Sequence, residues 1–179
     1  MIFTETALAG VFLIEPEKLA DERGFFARTF SQDEFASRGL AAHFVQSSLS
    51  VNTARGTLRG MHYQCAPHEE AKVVTCVRGA IFDAVIDLRR DSPTYRRWFA
   101  AELTAQNYRM LYVPEGCAHG FQTLEDDTVV VYQMSEFYHP ESTRGVRWDD
   151  PAFGIAWPLR PTVISGQDRA YASFEWSNA

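Results

Sequence analysis

The chain has 179 residues, 46% hydrophobic and 22% charged, which implies one domain with a sizeable core and excludes a largely disordered chain. The 17 basic and 23 acidic side chains leave a net charge of −6. That balance excludes a general nucleic-acid binder with a basic face, yet permits an anionic ligand held by a local cluster of arginines. Cys65, Cys76 and Cys117 are odd in number and contain no CxxC pair, so reduced thiols in a cytoplasmic protein are expected. The N-terminal stretch has no early positive charge and no long apolar core, so it does not read as a signal peptide. No apolar run approaches the ~20 residues of a membrane span.

Along the chain, SQDEFASRGL is the best helix candidate, with Ser31 as cap, Asp33 and Glu34 in the first turn and Gly39 as the stop. RGTLRGMHYQ (55–64) is strand-like and carries His62. KVVTCVRGAIFDAVIDLR reads as two strands joined at Arg78-Gly79 in a two-residue hairpin. That register puts Lys72, Val74, Asp83 and Val85 on one face and pairs Asp83 with Lys72. A short turn is expected over Thr104–Asn107. RMLYVPEG, FQTL and TVVVYQMSEFY continue the strand pattern, and in the last Val130, Tyr132, Met134, Glu136 and Tyr138 share a face. The C-terminal third combines Pro140, Pro151, Pro158 and Pro161 with Trp148, Trp157 and Trp176, and reads as irregular chain supplying core and interface aromatics. Many short strands with Gly/Pro turns and little helix indicate a sandwich or barrel.

Taken singly, His62 reads as a hydrogen-bonded core histidine and Lys72 as a strand-edge residue. Together with LYVPEGCAHGFQTL (111–124) they read differently. Pro114, Gly116 and His119 form PxGxxH, which matches the second motif of cupins, and GMHYQ…EE…RG resembles the first. Metal-binding cupins usually supply HxH plus Glu in the first motif and His in the second. Here Tyr63-Gln64 follows His62, so one ligand is missing. His62, Glu70 and His119, with His68 as a spare, remain a candidate three-ligand site for a metal-dependent cupin oxygenase.

DERGFFARTF (21–30), FVQSSLS (44–50), TLRGMHYQ (57–64), residues 70–95, VPEGCAHGFQTL (113–124), residues 130–158 and VISGQD (163–168) together resemble the dTDP-4-dehydrorhamnose 3,5-epimerase family over nearly the whole chain. The resemblance implies an all-β, cupin-type double-stranded β-helix (jelly roll) with few short helices, forming one domain over 1–179. It also implies a cytoplasmic, metal-independent and cofactor-free isomerase acting on a nucleotide-sugar. A C4 ketone acidifies the protons on C3 and C5, so the reaction needs a base, an acid on the other ring face and a cation for the oxyanion. By resemblance His62 is the base, Asp168 orients it, Tyr132 is the acid and Lys72 steadies charge on the C4 oxygen. Arg59 suits the diphosphate, and His119 and Tyr138 line the sugar pocket. Arg23 and Phe26 belong to an N-terminal strand that reaches the neighbouring subunit's site, which implies a strand-exchanged homodimer. Gln46 is kept, whereas Arg28, Ser48, Thr143 and Gln167 replace the family's usual Glu, Asn, Glu and Lys. Those four positions are associated with nucleotide binding, so the carrier is left open between dTDP and CDP or GDP.

Overall fold

A computed structural model describes residues 1–174, and Trp176 lies outside the described residues. Fourteen strands are arranged as two facing sheets and one small hairpin. The first sheet runs β1 (Ile2–Glu5), β2 (Phe12–Glu15), β10 (Met110–Val113), β7 (Lys72–Arg78), β12 (Thr128–Met134) and β5 (Gln46–Asn52). The second runs β13 (Thr143–Gly145), β6 (Thr57–Gln64), β11 (Cys117–Thr123), β8 (Ala80–Asp87) and β9 (Trp98–Thr104), with β14 (Val163–Ile164) parallel to β6. The hairpin of β3 (Lys18–Asp21) and β4 (Gly24–Ala27) forms a separate two-stranded sheet whose Phe25 packs edge-on to Tyr108. This is the all-β, jelly-roll architecture expected from the sequence. Alternation along the strands sends Val74, Val85, Leu111, Phe121 and Val130 into a common core between the sheets.

The expected Arg78-Gly79 hairpin does not form. β7 pairs with β10 and β12, whereas β8 pairs with β11 and β9 in the other sheet. Only Gly79 separates the two strands, too short a link for a two-residue turn. Gly79 has φ +74°, and a Cβ there would lie 2.4 Å from Thr128 Oγ1. The chain therefore turns a corner, and Lys72 and Val74 face Asp83 and Val85 across the interior rather than lying beside them.

The helix candidate forms as α1 (Gln32–Ala36), with Phe35 fully buried, but the Ser31 side chain makes no capping bond. Its carbonyl instead receives the Phe35 N–H at 3.1 Å. The turn after β9 forms as expected, the Thr104 hydroxyl accepting from the backbone N–H groups of Gln106 and Asn107. Trp157 donates to the Trp148 carbonyl at 2.7 Å and packs edge-on to Phe82, covering the outer face of the second sheet. All three cysteines are free, and burial pushes the thiols of Cys76 and Cys117 up to about 11 and about 12. Among the described residues no helix is long and apolar enough to cross a membrane.

At the end of β8 the buried Asp87 carboxylate gathers Arg89, Ser92 and Thr94, and Arg89 also donates to the Ala9 carbonyl. Burial opposes the charge, but these donors hold the carboxyl down at about 2. Because the folded value lies below the unfolded one, this stabilisation is complete above about pH 4 and is lost as pH falls toward 2. Asp87→Asn is expected to cost on the order of 2 kcal/mol at pH 7. Thermal melts at stepped pH should show the gap from wild type closing between about pH 4 and pH 2.

Candidate active site

A cavity of about 790 Å³ opens between the sheets, walled by β5, β7 and β12 on one side and by β6 and β11 on the other. His62 on β6 lies across from His119 on β11 and Gly145 on β13. Tyr132 on β12 lies between Val74 of β7 and Ser48 of β5. His62 and Tyr132 thus enter the cavity from opposite sheets.

The carboxylate that holds His62 comes from far along the chain. The Ser165 hydroxyl caps α2 (Gly166–Ala170) by accepting the Asp168 N–H at 3.0 Å. The Asp168 side chain then faces β6, where Oδ1 meets His62 Nε2 at 2.7 Å and Oδ2 accepts the Gly60 N–H at 3.2 Å. Burial opposes the charge on Asp168, but the bonds from His62, Gly60 and Ser165 outweigh it and keep its carboxyl below the usual range. An ionised Asp168 requires Nε2 to carry the hydrogen, which leaves Nδ1 as the acceptor. The side chain of His62 is 38% exposed and that of Asp168 only 4%, so a ligand can reach the imidazole but not its carboxylate.

The opposite wall is drier. Burial, with the Asp83 carboxylate adding to it, pushes the Tyr132 phenol far above its ordinary range, against a Ser50 hydrogen bond and the Arg59 charge. The ring packs edge-on to His119, with centroids 6.0 Å apart. Asp83 is the surprise of the site. It pairs with His119, Oδ1 to Nε2 at 2.7 Å, not with Lys72 as the hairpin register implied. Lys72 Nζ instead meets Glu70 at 2.9 Å. Burial raises the Asp83 carboxyl despite the opposing influence of His119 and Lys72, and its Oδ2 has no hydrogen-bond partner.

Gln46, Ser48, Arg59, Lys72, His119, Tyr138, Thr143 and Gln167 also line the cavity. Arg59 is steadied by donating Nε to Asn52 at 2.7 Å, and Gln46 accepts the Tyr138 N–H at 2.7 Å. Arg23, Phe26 and Arg28 are exposed on and beside the β3–β4 hairpin and do not line this chain's own cavity. The alternative metal set is not assembled. His62, Glu70 and His119 each hold a different partner, and among the described residues they do not form a group close enough to share an ion. His68, the spare, gathers instead with His139 and Glu141. The two imidazoles stack with centroids 3.5 Å and planes 10° apart, so their in-plane lone pairs lie side by side rather than converging. Sequence reasoning missed Ser50 and Gln64 as lining residues, although period-two alternation from Ser48 was available to find Ser50, whereas Met134 lines the cavity on the face it was expected to share with Tyr132.

Fold and cavity together place the molecule among cupin-type jelly rolls that carry acid–base groups, not a converging ligand set, in the mouth of the barrel. Comparison with known proteins narrows this class. The family model described as dTDP-4-dehydrorhamnose 3,5-epimerase matches residues 5–175. The dTDP-4-dehydrorhamnose 3,5-epimerase of Methanothermobacter thermautotrophicus is 45% identical over 170 residues, covering 93% of this chain and 91% of that one. The crystal structure of the enzyme so named from Elizabethkingia anophelis NUHP1 superposes with a TM-score of 0.95 at 36% identity, covering 100% of this chain and 99% of that one. The one from Bacillus anthracis str. Ames, with TDP and PPi bound, gives 0.92 at 37% identity, covering 97% and 99%. The chain belongs to the dTDP-4-dehydrorhamnose 3,5-epimerase family.

The environment of Tyr132 makes a spectroscopic prediction. An ordinary tyrosine ionises near pH ~10, whereas Tyr132 should remain a phenol beyond pH ~11. Ultraviolet difference titration of wild type against Tyr132→Phe should therefore show no extra phenolate below that pH. Asp83→Asn, which removes a neighbouring charge, should bring the Tyr132 signal to lower pH.

Proposed function

We propose that this chain is a cytoplasmic, cofactor-free epimerase that inverts C3 and C5 of a dTDP-linked 4-keto-6-deoxyhexose. The observation that carries the reading is the entry of His62 and Tyr132 from opposing sheets. A flat sugar ring between those walls meets a proton acceptor on one face and a proton donor on the other. The C4 ketone acidifies the adjacent C–H bonds. His62 Nδ1 takes the proton, and the electron pair moves into an enolate whose oxygen Lys72 stabilises. Tyr132, kept protonated by its dry surroundings, returns a proton to the opposite face and inverts the centre. Arg59 at the mouth suits the diphosphate. Dialysis against a chelator should leave the activity intact.

The division of labour is testable by following deuterium exchange and inversion separately by NMR in deuterated water. His62→Ala should abolish both, with a loss on the 10²–10⁴-fold scale of general acid–base catalysis. Tyr132→Phe should slow inversion while exchange continues, because His62 can return a proton to the face it left. Asp168→Asn should fall between wild type and His62→Ala. Wild-type exchange by His62→Ala, or full-rate inversion by Tyr132→Phe, contradicts these roles. Offering the same sugar on dTDP, CDP and GDP identifies the carrier, with dTDP expected to be preferred. A loss of preference would trace to Ser48, Thr143 and Gln167, the substituted positions that line the cavity.

We also propose that the working form is a homodimer in which each β3–β4 hairpin serves the partner's cavity. Leu19 and Phe26 on the hairpin are 69% and 67% exposed, and Leu49 and Val51 on the edge strand β5, beside the cavity, are 63% and 56% exposed. Phe26 would then pack on the nucleotide and Arg23 contact its phosphates. Subunit mixing tests the exchange. His62→Ala and Phe26→Ala chains, each feeble alone, should regain roughly a quarter of the wild-type sites when refolded together, because half the dimers are mixed and each mixed dimer holds one intact site. No gain on mixing, or a fully active monomer, would overturn it.

A further inference from the structure

His62 is held from α2 by a second side chain. Tyr171, the residue that ends α2, lies three positions after Asp168 and so projects from the same side of the chain, one turn on. Its ring meets the His62 imidazole edge-on, with centroids 6.1 Å apart and planes at 67°. The same ring stands against Gly145, the residue opposite His62 in the β6–β13 ladder. A Cβ at 145 would stand 2.1 Å from the Tyr171 ring, so only glycine leaves the ring room to sit there. The phenolic oxygen accepts from Gln167 Nε2 at 3.1 Å, which ties down a residue that lines the cavity. Asp168 fixes one nitrogen of the imidazole, and a single hydrogen bond still allows the ring to rock about it. An aromatic edge against the ring blocks that motion.

We propose that Tyr171 is a positioning residue for the His62 base: it holds the imidazole edge-on so that the proton-accepting nitrogen stays aimed at the substrate, and through Gln167 it steadies the cavity rim. The proposal rests on His62 being the base. Tyr171 does not touch the reacting carbon and transfers no proton, so its removal should loosen the base without deleting it.

Steady-state kinetics and deuterium exchange on four variants, each checked by its thermal melt, test this. Tyr171→Ala should lower kcat and the exchange rate together, on the order of tenfold, with KM changed far less. Gly145→Ala, which leaves Tyr171 in the sequence but expels its ring from its seat, should lose kcat in the same way. Tyr171→Phe keeps the ring edge and should restore kcat to near wild type, its loss of the Gln167 bond appearing in KM. His62→Ala is the control. If it is inactive while Tyr171→Ala keeps the wild-type kcat, or while Tyr171→Phe is as slow as Tyr171→Ala, the positioning role is wrong and the base stands. If Tyr171→Ala changes KM alone, the residue serves binding and the proposal is likewise overturned. If His62→Ala itself exchanges like wild type, the base assignment fails instead.

Discussion

Everything about the cavity follows from the corner at Gly79. One residue joins β7 to β8, and it must adopt a backbone conformation that side chains disfavour, against Thr128. Strands linked so tightly cannot turn back to pair, so each joins a different sheet. β7 brings Lys72 into the wall that already holds β12 and Tyr132. β8 brings Asp83 into the wall of β11 and β6, where His119 and His62 lie. A hairpin at this point would have put Lys72 and Asp83 side by side on one surface. The corner sets them across a gap, and a reaction that removes a proton from one face and returns it to the other needs that gap.

The same enclosure makes the polar groups expensive to keep. Asp83 is fully buried with one oxygen unpaired, and an unsatisfied buried acceptor costs on the order of 1–3 kcal/mol. In an ordinary core that position would be apolar. Here the carboxylate anchors His119 and adds to the burial that pushes the neighbouring Tyr132 phenol up, which disfavours a phenolate at that position. The Asp168 carboxylate is the counterpart at His62: three donors hold it ionised, and an ionised carboxylate fixes which imidazole nitrogen is bare. Two acids of the same type are thus driven in opposite directions by their surroundings, one by burial with too few donors, the other by donors enough to outweigh burial.

Much of this was legible in the sequence, and the parts that were not share a cause. The strand pattern of residues 55–64, 72–89 and 128–138 specified strands, and alternation from Val130 gave the face that carries Tyr132, because a period of two is a local property. His62, His119, Tyr132 and Asp168 were named from motifs, and all four line one cavity. Pairing is not local. Alternation is identical for a hairpin and for two strands in facing sheets, so Arg78-Gly79 read as a turn, and Asp83 was given Lys72 as a partner in place of His119. Counting the link as one residue rather than two was the available correction. Tyr171 gave no signal of either kind: it follows a five-residue helix in a segment with no periodicity, and only its i+3 spacing from Asp168 hints that it faces the same way. Arg23 and Phe26, with Arg28 beside them, are exposed and stand off this chain's cavity; the contact proposed for Arg23 and Phe26 would lie between chains, which no reading of one chain's pockets can supply.

The division of the site between rigid and soft elements has a consequence of its own. Tyr132 and His119 sit inside paired strands and Lys72 at the start of one, each flanked by ladders on both sides, and their positions are set by the whole barrel. His62 shares that rigidity at its backbone. What orients its ring is a helix of five residues, well below the length at which a helix is stable alone. α2 is therefore held by the bonds around it: the Ser165 cap, the two Asp168 oxygens on Gly60 and His62, and the Tyr171 ring seated on Gly145. The dependence runs both ways, since the imidazole needs α2 to aim it and α2 needs β6 to exist. Any change that weakens the seat of α2 acts on the His62 ring before it acts on the fold, because strands β6 and β13 are laddered through their own backbones. The C-terminal segment is in this sense part of the candidate active site, although none of its described residues belongs to the core between the sheets.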